Sequence, residues 1–187
     1  MRKLVAYQLL SLDGVAESPD EFIVDWDDDM DANLGRVIGT QDAVLLGRST
    51  YDDWAKFWPS SDIEPFASFI NSVQKYVVTS TVPEESWFNT TSIRGDLADA
   101  VVELKQRSGA DIGVHGSIAL TQALIERNLV DELRLVIAPA IVGRGRKLFD
   151  GGSPRRLHLQ HSSTSQSGSL LLDYELTGEA AREDVVS

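Results

Sequence analysis

The chain has no cysteine among its 187 residues. That absence removes a disulfide framework, a thiolate nucleophile and any cysteine-ligated zinc or iron–sulfur centre. Positive charge is also scarce, with 17 Lys and Arg against 29 Asp and Glu, a formal net charge of −12. Polyanion binding depends on many cations set against phosphates, so nucleic acid is not an expected partner. No run approaches the roughly 20 apolar residues of a membrane span. Near the N-terminus, Gln8, Ser11 and Asp13 interrupt the apolar stretch before a signal-peptide core can form. The expectation is a cytoplasmic protein with no membrane partner. Internal repeats and low-complexity linkers are absent, and 42% hydrophobic content supports one core. One domain is expected over residues 1–177, followed by a flexible polar tail over 178–187.

Hydrophobic periodicity divides that domain into alternating strands and helices. Strands are expected at residues 4–10, 43–46, 75–78, 90–93 and 111–114. Helices are expected at 29–40, from Ser49, over the apolar-faced segment 65–73, from Asp96 to before Gly109, and at 117–128. Met30, Leu34, Val37 and Ile38 share one face of the first helix, and Leu97, Val101 and Leu104 one face of the helix that Asp96 caps. After Asp131 the pattern changes. Leu133, Leu135 and Ile137 alternate with no helix following, and residues 156–161 and 169–176 read as strands flanking a polar connection at 162–168. The architecture implied is α/β, with a mostly parallel sheet and an antiparallel C-terminal end.

Chemistry concentrates at the ends of strands. The run before His115-Gly116-Ser117 ends in a small-residue turn opening a helix, where backbone N–H groups at a positive helix end suit a phosphate. A second such turn follows Leu46. Gly47 permits a sharp bend, and Arg48, Ser49 and Thr50 bring a guanidinium and hydroxyls to the next helix N-terminus. Either turn alone also reads as an ordinary helix cap; two together fit a dinucleotide. A third strand delivers Thr79, Ser80 and Thr81 to its carboxyl end, where ligands of open α/β sheets collect. Asp25, Asp27, Asp28, Asp29 and Asp31 lack the glycine and terminal Glu of a calcium loop and read as an acidic helix start, so no metal is expected. Tyr7, Trp26, Trp54, Phe57 and Trp58 could wall a pocket for a flat ligand, or pack in a core. His158 and His161 read as surface strand residues.

The segments SLDG, LLGRSTY, VVTS and VHGSIALTQALIERNLVDELRLVIAPAIVGRGRKLF resemble the dihydrofolate-reductase-like superfamily. Within it they are most similar to the branch typified by the reductase domain of the bacterial riboflavin-specific deaminase/reductase. The resemblance covers residues 3–176. It implies a dihydrofolate-reductase-like three-layer fold, with a central mostly parallel mixed sheet, an antiparallel C-terminal hairpin and helices on both faces. It also implies NADPH as cofactor and hydride transfer to a small heterocyclic or sugar-like substrate. By motif position, Gly47, Arg48, Ser49 and Thr50 would meet cofactor phosphates. Thr79 and Ser80 would meet the adenosine 2′-phosphate with Arg48 nearby, and His115, Gly116, Ser117 and Ile118 the pyrophosphate. Many relatives carry Gly-Gly where this chain has His115-Gly116, which shifts the closest backbone approach. His115 itself reads as a packed residue. Asp31 falls near the carboxylate that assists protonation in dihydrofolate reductase, with Asp27, Asp28 and Asp29 as competitors. Tyr7, Trp26 and Trp54 are the candidate substrate walls. The zinc motifs of the deaminase half are absent. A nucleotide-binding regulatory protein without turnover and a folate reductase proper are the alternatives. The resemblance further suggests a homodimer that buries the strand at residues 133–138 as an exposed sheet edge.

Overall fold

The computed structural model describes residues 1–180, with side chains to residue 177. Eight strands, β1 (Leu4–Ser11), β2 (Gln41–Gly47), β3 (Gln74–Val78), β4 (Thr90–Ile93), β5 (Asp111–His115), β6 (Glu132–Ala138), β7 (Arg155–Thr164) and β8 (Leu170–Ala180), form one sheet. Five helices connect them: α1 (Asp28–Ile38), α2 (Arg48–Phe57), α3 (Phe66–Ser72), α4 (Leu97–Gln106) and α5 (Ile118–Glu126). The strand order is β4-β3-β2-β5-β1-β6-β8-β7. β1 to β6 run parallel, and β8 joins β6 and β7 antiparallel. The rest of the tail expected from Gly178, residues 181–187, lies outside the described residues; β8 itself continues to Ala180. Among the described residues, no helix is long and apolar enough to cross a membrane.

Helices cover the parallel strands on both faces, which is why β1, β2 and β6 are almost continuously buried. One core joins Met30, Leu34 and Val37 of α1 and Phe66 and Ile70 of α3 to Tyr7, Val44, Leu46, Val77 and Val136 of the sheet. The opposite core joins Val101 and Leu104 of α4 and Ile118, Leu120 and Leu124 of α5 to Leu4, Ala6, Leu45, Ile112, Val114 and Leu133. The chain therefore leaves β2 over one face and β5 over the other. Since β2 and β5 are neighbours, their carboxyl ends form a topological switch point, the place where α/β sheets bind ligands.

Helix starts follow local chemistry. Asp27 caps α1 by accepting from the Met30 N–H at 3.0 Å, and Asp96 caps α4 through the N–H groups of Ala98 and Asp99. The acidic cluster around α1 has a second use. Asp27 and Asp29 accept from the Ser167 and Gln166 N–H groups at 2.7 and 3.1 Å, which docks the β7–β8 turn on the helix. Burial would raise the Asp27 carboxyl, yet these bonds hold it down at about 2.

Two expectations are corrected. The strand expected at an exposed sheet edge is β6, and it lies inside the sheet, paired to β1 on one side and β8 on the other. Its apolar run reflects coverage on all sides, while the real edges are β4 and β7. The hairpin connection is also shorter than expected. Ser162, Ser163 and Thr164 extend β7, because an exposed edge strand accepts hydroxyl side chains that a core strand excludes.

Lys75 was invisible as a special residue, since a lysine beginning a strand usually faces water. It is fully buried. Its ammonium donates to the carbonyls of Ile70 and Val73 at 2.8 and 2.9 Å, closing the C-terminal end of α3, and lies 4.6 Å from the Trp87 ring centre. Burial pushes it down to about 8, from the ordinary 10.5. Between those values the unfolded chain holds a proton that the folded chain has released. The folding penalty of this charge is therefore complete below pH 8 and fades as pH rises towards 10.5. Lys75→Met lacks this titration. Denaturant unfolding should show the stability of wild type relative to Lys75→Met rising between pH 7.5 and 10, by at most about 3 kcal/mol.

Candidate functional site

The carboxyl ends of β1, β2, β3, β5 and β6 share one rim of the sheet, and the expected cofactor-binding residues lie there, after β2, β3 and β5. The turns after β2 and β5 touch. Ser117 Oγ accepts from the Gly47 N–H at 3.0 Å, so the side chain at the start of α5 is committed to a cross-link. It makes no cap bond to its own helix, and α2 likewise begins at Gly47 without a side-chain cap. First-turn N–H groups have no partner within a helix. Two helix N-termini thus lie at the switch point without a side-chain cap, whereas α1 and α4 are capped by Asp27 and Asp96. This is the donor arrangement that dinucleotide phosphates take up.

The two glycines differ in what they demand. Gly116 has φ +67, and an ideal Cβ there would lie 2.7 Å from Trp54 Cζ2, so both conformation and space demand glycine. Gly47 has φ −75, which any residue adopts. A Cβ there would stand 3.4 Å from Ser117 Oγ, an ordinary contact distance, so neither conformation nor space demands glycine at this position. Thr50 lines the same turn, its Cγ2 being 3.5 Å from that ideal Gly116 Cβ, while Ser49 and Ser80 are exposed. Thr79 is buried and holds a local turn, accepting from the Thr81 N–H and donating to the Thr81 carbonyl. Ile118 buries its side chain in the core and offers only backbone to the switch point.

His115 and Arg48 have side chains engaged elsewhere. The His115 ring is buried between Tyr7, Phe66 and Phe69, with Nε2 2.8 Å from the Gln41 side-chain amide. Burial pushes the ring down to about 3, and it stays neutral at physiological pH. Gly113 makes room for the pair, since a Cβ there would lie 2.0 Å from Gln41 Oε1. The Arg48 guanidinium pairs with Asp52 and donates to Thr81 Oγ1 and the Val82 carbonyl.

The candidate substrate walls divide. Tyr7 and Trp54 belong to one aromatic chain running through His115 and Phe66. Burial pushes the Tyr7 hydroxyl above the usual phenol range, and it has no hydrogen-bond partner among the described residues. Trp26 stands outside that chain, its indole N–H donating to Asp31 at 2.6 Å. Asp31 is half-buried in the first turn of α1. A separate cavity of about 370 Å³ lies beside α5, lined by Ile125, Leu133, Leu148, Leu157 and Leu176. It contains none of the residues expected to bind.

The sequence alone did not single out Asp13. Its carboxylate accepts from the N–H groups of Val142 and Gly143 at 3.0 and 2.9 Å and from Ser11 Oγ, which hold it well below the usual carboxylate range. With Glu17, which accepts from the Arg146 N–H and guanidinium, it binds the loop after β1 to the loop after β6 along the rim. A turn aspartate beside glycine was visible; its partners about 130 residues away were not.

The RibD C-terminal domain family model matches residues 2–171. The chain belongs to that family. The uncharacterized protein YyaP of Bacillus subtilis (strain 168) is 29% identical to it over 95% of this chain and 96% of that one. Among solved structures, a pyrimidine reductase-like protein from Corynebacterium diphtheriae superposes with a TM-score of 0.67 at 16% identity, covering 95% of this chain and 93% of the other. A diaminohydroxyphosphoribosylaminopyrimidine deaminase/5-amino-6-(5-phosphoribosylamino)uracil reductase from Thermotoga maritima gives 0.64 at 14% identity, covering 94% of this chain and 57% of that protein. At such identities the structural likeness establishes the fold, which is the α/β arrangement expected from the sequence, with its antiparallel end.

Gly116→Ala tests the turn. The left-handed backbone and the Trp54 contact should together lower stability by roughly 1–3 kcal/mol, read from the denaturant midpoint at unchanged slope. Wild-type stability in this variant would mean that the turn relaxes freely.

Proposed function

We propose that the protein is an NADPH-dependent reductase that transfers a hydride to a small heterocyclic or sugar-like substrate, similar to the pyrimidine-linked sugar of riboflavin biosynthesis. The observation that carries this reading is the pair of helix N-termini without side-chain caps on either side of the switch point, cross-linked by Ser117 and the Gly47 N–H. The residues present fit a dinucleotide, because the helices that follow β2 and β5 both start without a side-chain cap on their first-turn N–H groups. Membership of the RibD C-terminal domain family supports the same chemistry.

In this reading the nicotinamide supplies the hydride when bound. The protein orients and shields. The first turns of α2 and α5 hold phosphates through backbone N–H groups, with Ser49, Thr50 and Ser80 adding hydroxyls. The Trp54 and Phe66 rings, in edge contact at 5.5 Å, exclude water behind the Gly116 turn. Asp31 holds a proton position at its carboxylate, oriented by the Trp26 indole. The whole operates in the cytoplasm as a homodimer. Because β6 is internal, the dimer contact belongs on β7, a ten-residue edge strand with Leu157 and Leu159 exposed.

NADPH should bind the purified protein by calorimetry and be oxidised with at least one member of a panel of pterin, pyrimidine and dicarbonyl substrates. Asp31→Asn should preserve that binding and reduce hydride transfer about 10²–10⁴-fold, with the deficit shrinking at low pH, where solvent delivers the proton. Binding without turnover on any substrate would favour a nucleotide-sensing protein, and turnover unaffected by Asp31→Asn would leave water as the proton source. Sedimentation at micromolar concentration should show a dimer that Leu159→Asp converts to monomer; a wild-type monomer would refute the assembly.

A further inference from the structure

Arg48 is the centre of a network of ion pairs and hydrogen bonds. It opens α2 beside the turn that follows β3. Its Nε pairs with Asp52 one helical turn later. Nη1 reaches Thr81 Oγ1 and, at 2.8 Å, the Val82 carbonyl, while Nη2 lies 3.9 Å from Glu84. The other Asp52 oxygen accepts from the Glu84 N–H at 3.4 Å, and Lys56 stands 3.8 Å from the Glu84 carboxylate. Tyr51 continues the tie, accepting from the Trp87 N–H at 3.0 Å and donating to the Glu85 carbonyl at 3.2 Å. The Arg48 and Asp52 side chains are only 24% and 16% exposed. A partly desolvated pair with further hydrogen bonds is worth more than an exposed one. All three guanidinium nitrogens face acceptors in the loop at residues 81–84 or on Asp52, so the fork clamps that loop to α2.

The charge of the cluster has a consequence for ligand choice. Arg48 and Lys56 stand against Asp52 and Glu84, and the four formal charges cancel. A 2′-phosphate arriving beside Ser80 would meet no net positive field and would compete with Asp52 for the guanidinium. Exchanging a carboxylate for a phosphate on the same donors replaces one charge-assisted bond with another, and little is gained.

Resting on the reductase reading above, we infer that Asp52 is a cofactor-selectivity residue: it holds Arg48 as a loop clamp and so limits the advantage of NADPH over NADH. In the wild-type protein calorimetry should show NADPH binding more tightly than NADH by no more than about tenfold. Asp52→Asn removes the competing charge while keeping the shape, and raises the NADPH over NADH ratio by roughly tenfold or more. Asp52→Ser shifts it in the same direction. Arg48→Ala weakens both dinucleotides by a similar factor and speeds amide hydrogen exchange over residues 79–86, because the clamp is lost. Selective loss of NADPH in Arg48→Ala, or an unchanged ratio in both Asp52 variants, overturns the inference alone. Failure of both dinucleotides to bind the wild-type protein overturns the reductase reading with it.

Discussion

The parallel pairing of β2 with β5 is the constraint on which the rest of the molecule depends. These strands are neighbours whose outgoing connections cover opposite faces of the sheet, so their carboxyl ends form its topological switch point. The Gly47 N–H to Ser117 Oγ bond spans it. It also diverts the serine that would otherwise cap α5, leaving helix N–H groups for a ligand. One hydrogen bond therefore ties the turn after β2 to the turn after β5.

Two kinds of polar group support this arrangement from behind. Buried neutral groups, the Gln41–His115 pair lying over Gly113, occupy the face beneath α3 and fix the turn after β5 from inside. Charged groups along the rim are engaged within the protein: Asp13 and Glu17 bind the loop after β6, and Asp52 engages Arg48. An acidic protein can in this way present a rim that is locally close to neutral. Recognition of a dinucleotide would then depend on backbone dipoles and shape more than on free cations.

Much of the fold was legible because its signals are local. Apolar spacing in α1 and α4, their aspartate caps, and the glycine turns after β2 and β5 each involve residues within a few positions of one another. β6 was misplaced for the opposite reason: its sequence shows that it is apolar, but an internal strand and a dimer edge can both be apolar, and only its partners β1 and β8 decide between them. Lys75 escaped notice because residue type suggests solvent, whereas its environment is set by the end of α3 and by Trp87. Of the candidate site, the turns at Gly47 and at Gly116-Ser117 are local features that the sequence shows. The commitments of Arg48 and His115 are not, since their partners Thr81 and Gln41 come from other strands and loops.

The sequence by itself determined that this is an α/β chain with glycine-opened helices, no thiol chemistry and an antiparallel end, since backbone freedom, periodicity and composition are properties of short segments. The tertiary structure decided which of those segments are neighbours, and with that which charges cancel, which lysine is buried and which helix ends remain uncapped. Those outcomes depend on contacts between residues tens of positions apart, whose closure no local pattern encodes.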